Sequence, residues 1–528
     1  MPENRRTSSN GARVMIIDGI VLLAVGVVFA PLLVLALCSF SWRWTAAKII
    51  MGAAFAAALV NSLVIMRFDV STSILGWLRI DALASLILLL ISFIAWIVLR
   101  YAATNFDQDS SGKRFLWWFH ATVFAVTCVV ASRNLILFWF AWVAISLSFH
   151  QLLMFYPDRP RAVLAAHKKF ILARIAEICL AVAFYLLWTT HGTLNIDEIL
   201  SGYPVQALGA AEHAAAILIA LVALIKCAQL PVHGWLIQVV ESPTSVSALL
   251  HAGVINLGGF LLILFAPLFS LSFAAQALVI VVAGMSMLVA ALIMMTRISI
   301  KVRLAWSTNA QMGLMLVECA LGLYELALLH MLAHSCYKAF AFLNSGEAVS
   351  DALRAQRRQR ELPEPHAWLI AALIVVPSVG LFLLLSGTSL LPLSPWLIVT
   401  VALTVFIAQS LAVGGKQQTI HAAWFCLVLL GSYVVLKTIL APAVAMHEHS
   451  YRAVFDIWVV CLFAAQLLAY FQLQYKPLST SSHRLFIALN AGFYLDEWLT
   501  RLTLKLWPIN LPHVVEAEST NPQGVTQT

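Results

Sequence analysis

The sequence predicts an all-α polytopic membrane protein, and three observations carry that expectation. Of 528 residues, 62% are hydrophobic and only 11% are charged, whereas soluble domains carry about a quarter charged residues. Runs of roughly 20 apolar residues, long enough to cross a bilayer core, recur along the chain. The few ionisable residues inside those runs are clustered. So much apolar surface cannot be hidden from water by folding alone, which excludes the soluble classes.

Candidate spans fall at 14–38, 48–66, 80–101, 115–131, 134–155, 168–190, 212–230, 242–268, 272–295, 303–321, 324–347, 366–386, 395–413, 419–441 and 451–474, about fifteen in all. The weakest separation is between the fourth and fifth, where Arg133-Asn134 is the sole punctuation. Residues 1–13 are polar and expected to form a disordered tail. Arg5-Arg6 resembles a twin-arginine signal only superficially, because the run that follows is long, contains Asp18 and shows no clear cleavage site.

Loops after odd-numbered spans hold most of the Lys and Arg, including Arg43, Lys48, Lys113, Arg114, Arg159, Arg161, Lys168, Lys169, Arg297, Lys301 and Arg303. The positive-inside bias therefore places odd-span exits in the cytoplasm, the N-terminus outside and the C-terminal segment in the cytoplasm. The same loops account for the net charge of +8 without nucleic acid as a partner. The eight cysteines lie within or beside apolar runs with no CxxC, which reads as core rather than a disulfide framework or a zinc site. His447-Glu448-His449 reads as a polar outer loop.

Near the end, "HRLFIALNAGFYLDEWLTRLTLKLW" is amphipathic rather than uniformly apolar. It predicts a cytoplasmic amphipathic helix over 483–508, lying along the lipid bilayer surface or against another subunit. Asp496, Glu497, Trp498 and Arg501 are its candidate partner-docking residues. Residues 509–528 are expected to be disordered.

Each intramembrane charge costs at least about 2.5–3.5 kcal/mol at a helix centre. Here Arg174 and Glu177 lie three apart on one helix face, and Lys226 follows one span later. Glu241 and His251 come next, then Lys301. His330, His334 and Lys338 sit at successive i, i+4 positions and form one polar stripe. Glu318 either joins that stripe or faces a neighbour. A single such residue is usually a structural hydrogen-bonding group. A series on consecutive spans points to a proton path along the membrane midplane. Metal ligation, phosphate binding and nucleophilic catalysis find no matching motif, so no catalytic residue, metal site or cofactor is assigned to this chain.

"LIKCAQLPVHGW" places Lys226 one turn before Pro231. Proline removes a backbone donor and stops the helix. The carbonyls freed near Cys227 and Ala228 are tolerable in a bilayer only if buried in protein or lining a wet cavity. A helix break beside an ionisable group is an ion-site pattern in transporters.

"KCAQLPVHGWLIQVVESPTSVSALLHA", "IKVRLAWSTNAQMGLM" and "LLHMLAHSCYKAFAFLNSG" resemble, in order, signatures of the antiporter-like membrane subunits of respiratory complex I and of multisubunit sodium/proton antiporters. The likeness covers roughly 80–390, and "GFYLDEW" is similar to the start of the lateral helix of the subunit 5 type. It implies two inverted five-helix repeats, 115–268 and 272–413, each with a broken helix, the second break expected at Pro377. N-terminal helices over 14–114 and C-terminal helices over 414–475 flank them. It also implies that Lys226 is the central lysine of the broken seventh helix, with Glu177 as its acidic neighbour, His251 on the eighth helix, and His330, His334 and Lys338 on the polar axis. Val143 stands where the family carries a glutamate. Leu384 stands where the second repeat carries a charge.

Those departures, together with a chain that stops soon after the lateral-helix motif, are similar to a narrower branch, the DabB-type membrane subunits of DAB inorganic carbon pumps. That resemblance implies a multi-pass protein of the bacterial inner membrane. Its partner would be a large cytoplasmic DabA-like subunit that resembles a carbonic anhydrase and holds its own zinc. The cation gradient would drive CO2 hydration to bicarbonate in that partner. The alternative is a pumping or antiporter subunit of a complex I-like NADH dehydrogenase or a multisubunit sodium/proton antiporter.

Overall fold

In the computed structural model of the chain, residues 3–39, 41–68, 70–74, 76–106, 110–203, 208–347, 362–387, 390–444 and 451–508 are described. Among them, 13 helices are long and apolar enough to cross a membrane. Ala210–Lys226 and Ile300–Ala320, the first shorter and the second more polar, complete the set expected from the sequence. The protein is an all-α multi-pass membrane protein, with one small antiparallel hairpin, Thr72–Ile74 against Leu78–Ile80.

Local chemistry sets the helix ends. Asp81 caps Ala82–Asn105 by accepting from the Ala84 amide at 2.9 Å. Asn134 caps Leu135–Leu153 through the Ile136 and Leu137 amides. Arg133, which leads into that cap, is buried and ion-paired to Asp81 (2.5 Å) and Asp197 (3.2 Å). Those bonds make the 132–134 turn a firm separation between two spans. Pro160 opens the long helix Pro160–His191, where a missing N–H costs nothing.

The interior is built from small and branched apolar side chains, such as Ala24, Val28, Ala47, Leu99, Ala223 and Ala283, which let helices approach closely. Large side chains such as Leu22, Ile178 and Leu373 point outward, where lipid tails would meet them. Pro365–Ser386 and Ser394–Leu440 build a smaller core of their own around Ala371, Val375, Leu403 and Ile407.

Four expectations are corrected. The first helix runs Glu3–Leu37, so residues 3–13 are helical rather than a loose tail; a helix nucleated in the span propagates outward at little cost. The two spans expected at 395–413 and 419–441 lie in one helical run, Ser394–Leu440; its apolar stretches, Ser394–Ala412 and, with the 3-10 turn Ala441–Ala443 that follows, Thr419–Ala443, are each long enough to cross. Pro377 does not break its helix: Pro365–Ser386 continues through it, and the adjacent Ser378 hydroxyl donates to the Ile374 carbonyl at 2.7 Å. The amphipathic segment is two short helices, Thr480–Asn490 and Glu497–Leu506. They are separated by a turn in which Gly492, Phe493 and Tyr494 all take positive φ, a conformation that no continuous helix accommodates. The 447–449 cluster and the tail 509–528 lie outside the described residues.

Candidate ion-translocation site

Ala210–Lys226 ends at the lysine singled out in the sequence, and the chain leaves the helix with Ala228 at φ 53°. The groups freed by the break are taken up by side chains of neighbouring helices and of the break itself. Asn309 Nδ2 donates to the Ala228 carbonyl at 2.5 Å, Gln229 Nε2 to the Cys227 carbonyl at 2.8 Å, and the Leu230 amide to Ser286 Oγ at 2.9 Å. The break is thus buried in protein, which is one of the two ways a bilayer tolerates it.

Lys226 lies over the Trp142 ring, its Nζ 4.7 Å from the centroid. With Glu177, Lys169, Ser146 and Trp235 it lines a cavity of about 30 Å³, room for one or two waters. Glu177 is clamped by Arg174 at 2.7 Å, and the same guanidinium donates to Ser146 Oγ at 2.8 Å. Lys169 Nζ donates to the Ser146 carbonyl at 2.7 Å. The charges of Lys226, Glu177 and Lys169 lie close enough to act on one another. Arrival of a cation at one group therefore changes the cost of a proton at the next.

Lys169 was not among the sequence candidates. The helix starts at Pro160, about two turns before the expected span, so Lys168 and Lys169 lie inside the bundle rather than in a loop. The only hint in the sequence was that "AHKKFILAR" runs unbroken into the span.

A second cluster gathers on the Tyr324–Leu343 helix. His330 sits between Glu318 Oε2 (3.0 Å) and Gln311 Oε1 (2.8 Å). Glu318 thus joins the stripe. The His330 and His334 rings are 6.2 Å apart. Lys338 is buried and its Nζ donates to the Leu304 carbonyl at 3.2 Å. His251 is buried against Phe342, with ring centroids 4.3 Å apart, and lies near both His334 and Lys338. Neither ring nitrogen of His251 or of His334 has a hydrogen-bond partner. Buried polar atoms usually have one, and a bridging water satisfies this requirement.

Lys301 and Glu241 stand apart from both clusters. Lys301 Nζ donates to Thr244 Oγ1 at 2.8 Å, and Glu241 offers its main-chain carbonyl to Arg159 at 3.1 Å. Val143 is half-buried, and Leu384 is 82% exposed on the outer face, so neither lines a polar route. Of the four expected docking residues, Asp496 turns inward to Lys168 and is corrected to an internal anchor. Glu497 and Arg501 pair with each other on the surface at 2.6 Å, and Trp498 is exposed beside them.

Residues 132–361 match the family described as NADH:quinone oxidoreductase/Mrp antiporter, TM. The solved Mrp complex from Dietzia sp. DQ12-45-1b aligns with a TM-score of 0.60 at 19% identity, covering 93% of this chain and 60% of the Mrp chain. The fold is thus that of an antiporter-like membrane subunit. A curated relative from Hydrogenovibrio crunogenus, named "Probable inorganic carbon transporter subunit DabB", is 46% identical over 84% of this chain and 86% of its own length. "Probable inorganic carbon transporter subunit DabB2" of Halothiobacillus neapolitanus is 36% identical over 82% of this chain and 80% of its own length. NADH-quinone oxidoreductase subunit L of Mycobacterium tuberculosis is 33% identical over 54% of this chain and 45% of its own length. The chain belongs to the DabB family of antiporter-like membrane subunits.

Proposed function

We propose that this protein is the ion-translocating membrane subunit of an inorganic carbon uptake complex in the bacterial inner membrane. It admits protons or sodium ions down their gradient through Lys169, Glu177 and Lys226, then His251, His334, Lys338 and His330. Arg174 holds Glu177 in place. It carries out no bond chemistry itself. The energy drives a DabA-like, carbonic-anhydrase-like cytoplasmic partner, which carries the zinc and hydrates CO2 to bicarbonate.

The observation that carries this reading is the pair of buried polar clusters beside a broken helix. Charged and unpartnered polar groups at such depth are costly as mere packing and fit a route that water or ions enter. Coverage of 80–86% of the length of two DabB relatives favours carbon uptake over a complex I role, since the subunit L relative is matched over 45% of its length.

The test replaces Lys226 by Ala in the producing cell and follows bicarbonate accumulation. Loss of accumulation with the complex still assembled supports the role. Accumulation at the wild-type rate contradicts it. Co-purification with iron–sulfur proteins would instead favour the complex I alternative.

A further inference from the structure

A second polar cavity, of about 290 Å³, lies apart from the ion route at the face assigned to the cytoplasm. Two cations line it, Arg159 and Lys301, and none of its described lining residues carries a carboxylate. Arg159 and Lys301 are near enough for their charges to repel; Glu241, outside the lining, offsets only part of that repulsion. Arg159 is held over the Tyr156 ring at 4.5 Å and uses one donor on the Glu241 carbonyl, which leaves most of its guanidinium fork free.

The cavity also receives the start of the 9-residue helix Thr244–Ala252. Pro243 has no N–H and its carbonyl accepts from the Val246 and Ser247 amides, which leaves the Thr244 and Ser245 amides to present the partial positive charge of this helix end. Ser242 and Ser245 line the same cavity. Each residue is more than nine-tenths buried, and among the described residues neither hydroxyl makes a hydrogen bond. Hydroxyls on the wall of a cavity that holds two cations and a helix N-terminus match the needs of an anion.

We infer that this cavity is a binding site for one oxyanion of phosphate size, held by Arg159, Lys301, the Ser242 and Ser245 hydroxyls and the Thr244–Ala252 helix N-terminus. Free phosphate and the headgroup of an anionic phospholipid share that chemistry. The inference stands whether or not the ion route conducts.

The test uses the full-length protein in detergent, after delipidation, with labelled inorganic phosphate in equilibrium binding. A parallel arm counts phospholipid retained per chain by mass spectrometry before delipidation. The expected result is saturable binding near one equivalent in one of the two arms. Arg159→Gln and Lys301→Gln should each weaken it about tenfold or more, the loss typical of a charged hydrogen bond, and Ser245→Ala should weaken it less. Arg159 also holds the Glu241 carbonyl, so Lys301→Gln and Ser245→Ala serve as the variants that leave that bond alone. Saturation in the phosphate arm identifies a free oxyanion, and retention in the lipid arm identifies a headgroup. Affinity unchanged across the three variants, or no saturable binding in either arm, overturns the inference.

Discussion

Lys168 Nζ lies 2.5 Å from Asp496 Oδ2, joining two residues 328 positions apart. Lys168 is fully buried and comes from the helix that also carries Lys169, Arg174 and Glu177. Asp496 comes from the C-terminal segment. The helix that carries Lys169, Arg174 and Glu177 and the C-terminal segment are thereby tied by one charge pair.

Removing the acid should therefore release the C-terminal segment. Asp496→Asn leaves the Lys168 charge buried without its partner, which costs about 3–5 kcal/mol in fully buried pairs and less here because Asp496 is partly exposed. Tryptic cleavage at Arg501 and Lys505 should become several-fold faster, and the melting temperature should fall. Unchanged cleavage would show that the pair does not hold the segment.

Gly234 supplies an independent handle on the same contact. A Cβ at this position would collide with the Asp496 carboxylate. Gly234→Ala should reproduce the Asp496→Asn cleavage pattern, and the double variant should be no worse than either single one. Additive effects in that double-mutant cycle would place the two residues in separate interactions.

The broken helix depends on Asn309, whose amide donates to the Ala228 carbonyl. Asn309→Leu leaves that carbonyl buried and unpaired, a cost of about 1–3 kcal/mol. Thermal denaturation in detergent should register it as a lowered melting temperature. A variant as stable as the wild type would mean that the carbonyl finds another donor.

Just outside the Ala82–Asn105 span, burial works against ionisation of Asp81, but the Arg133 charge and the Ala84 amide outweigh it. The carboxyl is thereby held below its ordinary value of 3.8. A depressed carboxylate contributes stability that is present above the unfolded value and lost as pH falls through the lower, folded one. The melting temperature of the wild type should therefore drop as the medium is acidified below about pH 3.8. In Asp81→Asn it should start lower and vary less over the same interval. Parallel profiles would exclude the Arg133 pair as the source.

The spans were legible because apolar runs of bilayer length are local features, and so was the His330–His334–Lys338 stripe, which depends only on helical spacing. Lys226 beside Pro231 was legible for the same reason. Lys168 and Lys169 were not: near a span end, only the true helix start decides whether a lysine faces solvent or the bundle, and Pro160 moved that start outward. Asp496 read as surface because its partner is distant in sequence. Lys301 read as part of the polar axis because order along the chain does not reveal which way a side chain turns, and it turns to Thr244.

The most direct test of the account is cation entry into proteoliposomes containing the assembled complex under an imposed gradient, comparing wild type with Lys226→Ala. The account predicts that the variant, assembled as fully as the wild type, admits ions no faster than protein-free vesicles. Entry at the wild-type rate through Lys226→Ala would contradict it.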